Sequence, residues 1–121
     1  MNLRQLLGAR GERRAARHLR RSGYRIVKRN YQCPVGELDL IALDADTLVF
    51  IEVKTRSGEG EPAEPVRRAQ RRRLERAAKY FLAQYHLQHK PCRFDVVTIN
   101  WPEHGQPRIE HFPDAFPARY G

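Results

Sequence analysis

Five acids crowd one short stretch of an otherwise basic chain. Residues 33–54 hold Glu37, Asp39, Asp44, Asp46 and Glu52 against Lys54 alone. If residues 44–47 form a tight hairpin with a two-residue loop, Asp39 lies opposite Glu52 and Glu37 opposite Lys54. All four then project from one face, because 37 and 39 share parity, as do 52 and 54. Two carboxylates facing each other across a strand pair repel, and burial raises the pKa of both. A divalent cation is the simplest compensation, and oxygen ligands suit Mg²⁺ or Mn²⁺. Lys54 is close enough in sequence to reach the same place. A metal there would activate water for phosphodiester hydrolysis, and the ammonium would position that water or offset charge in the transition state. The competing reading is a salt-bridge cluster in which Lys54 pairs with Glu37 and Glu52.

The elements that must position these residues follow from periodicity. Residues 3–22 read as a helix, rich in Leu, Arg and Ala and stopped by Ser22-Gly23. On that helix Glu12 shares a face with Gly8, Ala15, Ala16 and Leu19, so an acid points inward where none is expected. Residues 24–32 form a strand rich in β-formers, and "CPVG" breaks it. Strands over 36–43 and 47–55 follow. The second is apolar on both faces, as in a central strand. "SGEGEPAEP" (57–65) is a loop, and a helix spans about 65–88 with Val66, Gln70, Leu74, Ala77, Ala78, Phe81, Leu82 and Tyr85 on one stripe. "CRFDVVTIN" (92–100) is a strand, and "RIEHF" (108–112) a short edge strand. The order is helix, three strands, helix, strand, in a single domain covering residues 1–121.

Charge points the same way. The net charge is +9 and the sequence pI about 10.3, which fits a polyanionic partner, above all nucleic acid. Residues 1–29 hold ten Lys or Arg and one acid, and residues 67–76 hold six arginines and one acid. Arg67, Arg68, Arg71, Arg72, Arg73 and Arg76 are candidates for backbone phosphates, and so are Arg13, Arg14, Arg17, Arg20 and Arg21. No apolar run spans a bilayer, and no secretory signal is visible. Two cysteines are too few for a disulfide scaffold, which suggests the cytoplasm.

"GELDLIA…FIEVKTR" resembles the motif of the PD-(D/E)xK nuclease superfamily, and the whole chain resembles the YraN-like family, related to Holliday-junction resolvases. The resemblance covers about residues 5–115. It implies a restriction-endonuclease-like αβββαβ core, a mixed α+β fold with a central mixed sheet flanked by helices. It also implies a nuclease cutting DNA, including branched or junction DNA. Asp39, Glu52 and the Val53 carbonyl would hold Mg²⁺ or Mn²⁺, with Glu12 completing the metal site. Lys54 would assist the attacking water, and Gln70 would support the lysine or the phosphate. Leu38 stands where the motif's name has proline. A four-way junction is met best by a two-fold dimer, so a homodimer is a corollary.

Other residues admit two readings. Asp95 either joins the site or pairs with Arg93 or Arg25. Tyr24 and Tyr31 stack on unpaired bases or pack on the strand face. His86, His89 and Cys92, with Cys33 as a fourth ligand, would suit zinc, but histidines near a helix C-terminus also favour the dipole. Two rival functions remain: a non-catalytic nucleic-acid-binding protein that retains the fold, and an interaction protein whose basic surface binds an acidic partner.

Overall fold

A computed structural model describes residues 3–58 and 68–116. The elements run α1 (Leu3–Arg21), β1 (Arg25–Cys33), β2 (Gly36–Asp44), β3 (Thr47–Ser57), α2 (Arg68–Gln84), β4 (Cys92–Trp101) and β5 (Arg108–Phe116). The five strands form one sheet in sequence order, antiparallel throughout except for the parallel β3–β4 pair. A parallel pair needs a crossover, and α2 supplies it. This is the mixed α+β arrangement expected, with β3 central and one strand more than the αβββαβ core.

Local chemistry sets the ends of the helices. Gly23, at φ 95°, lets α1 turn back: the Tyr24 N–H reaches the Leu19 carbonyl and the Gly23 N–H that of Arg20. At the end of α2, His86 takes the same left-handed role at φ 55°, and the Leu87 N–H donates to the Leu82 carbonyl at 2.7 Å. Here the helix stops at Gln84, short of the 88 that periodicity suggests, and Tyr85 is exposed rather than on the buried stripe. Val66 and most of the 57–65 loop lie outside the described residues.

The two faces of the sheet are packed differently. On one, Ala15, Ala16 and Leu19 of α1 meet Leu40, Ala42, Val49, Ile51, Val97 and Ile99, all at 0% exposure. Side chains this small let the helix lie close. Gly11 is the tightest point, since a Cβ there would stand 2.3 Å from Thr55 Oγ1. The other face is aromatic. Phe50 meets Phe81 and Phe94 at centroid distances of 6.0 and 5.6 Å, and Phe94 stacks on Phe116 at 4.7 Å. Each such ring contributes on the order of 2–3 kcal/mol by leaving water.

Asp95 settles the far edge of the sheet. It is 1% exposed and pairs with Arg93, one of its two expected partners. Its carboxylate accepts from Arg93 Nε at 3.0 Å and from the Asp114 N–H at 2.9 Å, and its Oδ2 lies 2.7 Å from His111 Nε2. Arg93 in turn donates to Asp44 at 2.9 Å and to the Tyr24 hydroxyl. Burial alone would push the Asp95 carboxyl up, but these hydrogen bonds outweigh it and hold it below its ordinary value. The β4–β5 ladder is irregular between Phe94 and Val96, and there the carboxylate supplies an acceptor to the backbone of β5. With this support β5 runs on to Phe116, well past the 108–112 stretch read from the sequence.

Gly11→Ala should destabilise the chain by roughly 1–3 kcal/mol, because the added methyl must move α1 off Thr55. Gly8→Ala, where a Cβ meets nothing within 4 Å, should be neutral or stabilising. Urea midpoints of the two variants check this contrast.

Candidate active site

β2 and β3 pair in the expected register from Asp44↔Thr47 to Leu40↔Ile51. The recorded pairing ends there. Leu38 packs in the cluster under α2 and Leu40 in the cluster under α1, although regular alternation would put both on one face. The strand therefore turns about its axis at Asp39. Asp39 Oδ2 accepts the Val53 N–H at 2.8 Å, so a side chain satisfies a β3 amide where the ladder has stopped. Glu37 is exposed and sits across β1 from Gln32, not across β3 from Lys54. The Glu37–Lys54 pair inferred from the hairpin is not formed.

The Asp39 and Glu52 carboxyls lie close enough for each to shift the other's titration. Gln70 on α2 donates to Glu52 Oε1 at 2.9 Å and accepts from Lys54 Nζ at 3.3 Å. One amide thus bridges the carboxylate and the ammonium. Burial, followed by the charge and hydrogen bond of Asp39, pushes Glu52 up to about 8, against the weaker pull of Lys54 and Gln70. Asp39 is also raised, first by burial, but the Val53 N–H and the Glu52 contact restrain it. The two carboxyls titrate as a pair, and burial holds both above their ordinary values.

Glu12 approaches from α1, half-buried. Burial raises its carboxyl, and the charges of Asp39 and Glu37 add to the effect. This is the inward acid that periodicity indicates. Among the described residues, however, no group of three or more His, Cys, Asp or Glu is close enough to hold a metal. Glu12 faces the same pair, and the charge of Asp39 reaches it. The same absence covers the His86, His89, Cys92 and Cys33 set, which is not assembled. Cys33 Sγ instead donates to the Gly36 carbonyl at 3.2 Å.

The arginines divide. Arg68 and Arg72 are exposed, close in sequence to Gln70, and Arg13 and Arg17 are exposed on α1. Arg71 is half-buried, with its guanidinium over the Phe116 ring at 5.4 Å. Arg67 lies outside the described residues. Tyr31 is a core residue whose hydroxyl donates to Gln84 at 2.7 Å, and Tyr24 packs edge-on against His111 at 5.4 Å, so both tyrosines pack rather than present a face for bases.

Two features escaped the sequence reading. Thr98, the ladder neighbour of Lys54, is 1% exposed, and its hydroxyl has no hydrogen-bond partner among the described residues. The only signal for it was a hydroxyl inside the apolar run "FDVVTIN". The second is Arg10, whose guanidinium lies 5.7 Å from the Trp101 ring.

Comparison with known proteins places this geometry. A family model described as "Uncharacterised protein family UPF0102" matches residues 11–99, which include Glu12, Asp39, Glu52, Lys54 and Gln70. The chain belongs to the UPF0102 family. This is the YraN-like family that the sequence resembles. The chain is similar to a UPF0102 protein of Chlorobaculum tepidum, 50% identical over 101 residues that cover 82% of this chain and 78% of the relative. A UPF0102 protein of Geotalea uraniireducens is 45% identical over 116 residues, covering 94% and 91%. A third, from Symbiobacterium thermophilum, is 46% identical over 114 residues, covering 93% and 97%. No helix among the described residues is long and apolar enough to cross a membrane.

In this UPF0102 chain the carboxyl pair makes stability depend on pH. A carboxyl held above its ordinary value keeps its proton in the folded state while the unfolded chain releases it. The stability it contributes is full below its ordinary value of 4.5 and is lost as pH rises toward 8. Glu52→Gln should therefore stabilise the metal-free protein at pH 8 by about 1–2 kcal/mol, a figure discounted for partial exposure to solvent. At pH 5 the gain should shrink toward zero. Denaturant midpoints of both proteins at the two pH values, in chelator, test the sign.

Proposed function

We propose that this UPF0102 protein is a metal-dependent endonuclease that hydrolyses phosphodiesters in DNA, including branched or junction DNA. The observation that carries this reading is the assembly of Asp39, fixed by the Val53 N–H, with Glu52 braced through Gln70 to the Lys54 ammonium. Two desolvated carboxyls close together are a place where a cation can offset their repulsion. The donor set fits Mg²⁺ or Mn²⁺, which take hard oxygen ligands, and Mg²⁺ commonly binds through one or two carboxylates with the rest of its shell water.

Asp39 and Glu52 would hold the ion, with the Val53 carbonyl as the further oxygen the resemblance implies. The bound cation would supply positive charge to the scissile phosphate and lower the pKa of water. The other roles belong to the chain itself. Val53 fixes Asp39 through its N–H, so that carboxylate is oriented before any ligand arrives. Lys54 presents an ammonium toward the attacking water or the charge that builds on the phosphate. Gln70 is a positioning residue: it accepts from Lys54 and donates to Glu52, and so sets the spacing of cationic and anionic groups. Glu12 deepens the negative field on the pair. Arg68 and Arg72 would meet backbone phosphates on the α2 side. Cys33 and Cys92 form no disulfide in the structure, which fits a reducing cytoplasm. A homodimer would match a two-fold junction.

A second reading, a nucleic-acid-binding protein that retains the fold without the chemistry, draws on one observation. Among the described residues no third His, Cys, Asp or Glu joins the pair.

Labelled duplex, single-stranded, flapped and four-way substrates, each with and without Mn²⁺, separate the two. The wild type should cut at least one of them only when the cation is present. Lys54→Ala and Glu52→Gln should lose on the order of 10²–10³-fold in rate while binding survives. Gln70→Ala should lose about 10–100-fold, as expected for a supporting residue. Salt-sensitive binding without any cation-dependent product would sink the hydrolase reading and leave the second.

A further inference from the structure

Arg10, Arg13, Arg14 and Arg17 follow the i, i+3, i+4, i+7 spacing of a single helix stripe. In an ordinary packed helix that stripe would be apolar. Here the four guanidinium groups and the Trp101 ring line one cavity of about 290 Å³. Like charges three and four residues apart destabilise a helix. Among the described residues none of the four has a carboxylate ion-pair partner. Arg10 lies over the Trp101 ring. The Trp101 indole N–H is buried and has no hydrogen-bond partner among the described residues. Uncompensated cations around a cavity, beside a donor with nothing to bond, are what an anion site looks like without its anion.

The position of the cavity identifies the anion. Gly11 touches Thr55, next to Lys54, and Trp101 is the ladder partner of Ser57. Trp101 is therefore level with a point three residues beyond Lys54, roughly 10 Å along the strand. Glu12, between Arg10 and Arg13, leans toward Asp39. Two turns of α1 thus carry an acid on the side of the carboxyl pair and arginines on the side of the cavity. A chain of phosphates, one per 3.4 Å of rise along each strand of a duplex, can occupy both at once.

We propose that the Arg10, Arg13, Arg14 and Arg17 stripe, closed by Trp101, is a second phosphate site that grips the nucleic-acid strand beyond the Asp39–Glu52 pair. The inference rests on the nuclease-like reading for its choice of ligand, but not on hydrolysis. Trp101 is the single tryptophan of the chain, so its fluorescence reports on this cavity without a label. Full-length protein in chelator is titrated with a single-stranded oligonucleotide, with inorganic phosphate, and with vesicles containing an anionic lipid.

The oligonucleotide should change Trp101 emission saturably, at concentrations where equivalent phosphate does nothing. Arg13→Ala/Arg17→Ala should weaken that binding at least tenfold. It should also lower the slope of log K against log salt by about 1.4, at 0.7 per lost contact to a single strand. Lys28→Ala/Arg29→Ala, which removes two exposed charges from β1, should do neither. Circular dichroism confirms that both variants fold.

A silent Trp101, an equal response to phosphate alone, a response to vesicles in place of the oligonucleotide, or an equal loss in the Lys28/Arg29 control would each overturn the assignment. Because no cation is present, the two readings fail separately. A protein that cuts nothing but shows the Trp101 response keeps this site and loses the hydrolase. One that cuts with Trp101 silent keeps the hydrolase and loses this site.

Discussion

Two carboxyl groups close together, partly removed from water, form the constraint around which the rest is arranged. Such a pair is unfavourable unless a proton, a cation or a set of donors offsets the repulsion. The chain supplies donors from three elements at once. A β3 backbone amide fixes Asp39, an amide side chain on α2 holds Glu52, and Lys54 stands beyond it. The fold could have avoided the cost with two apolar side chains. Strain kept in one place, inside a sheet otherwise packed with Val, Ile and Phe, is the physical ground for reading the place as functional.

Part of this was legible in the sequence. The two-residue turn at Ala45-Asp46 fixes the β2–β3 register, because a hairpin of that length leaves no freedom to slide. The inward direction of Glu12 follows from helical period alone. The centrality of β3 follows from apolar residues on both of its faces. What periodicity misses is the point where regularity ends. Continued past Leu40↔Ile51, the hairpin rule produces a Glu37–Lys54 pair that does not exist, because β2 turns at Asp39. The end of α2 was misplaced for a similar reason: a histidine in a left-handed conformation carries no signature comparable to glycine. The long course of β5 depends on Asp95, more than ten residues away, and no local pattern records a contact of that kind.

The two helices divide the labour by side-chain size. Gly11, Ala15 and Ala16 let α1 come close enough to bring a glutamate to the strand ends, with a stripe of arginines along its flank. Leu74, Phe81 and Leu82 seat α2 on an aromatic layer, and Gln70 near its start reaches Glu52 and Lys54. The site lies toward the carboxyl end of the one parallel pair in the sheet, where strands joined through a crossover commonly leave a crevice.

That crossover also carries a kinetic consequence. Gln70 rides on the long connection between the two parallel strands, and closing so distant a link is among the slower events in the maturation of a β-rich chain. The hairpin that brings Asp39 and Glu52 together is local and forms early. Gln70 reaches the site over 16 to 18 residues, little more than the 14 that separate Asp39 from Val53, and the constellation is complete only once α2 has docked on the sheet.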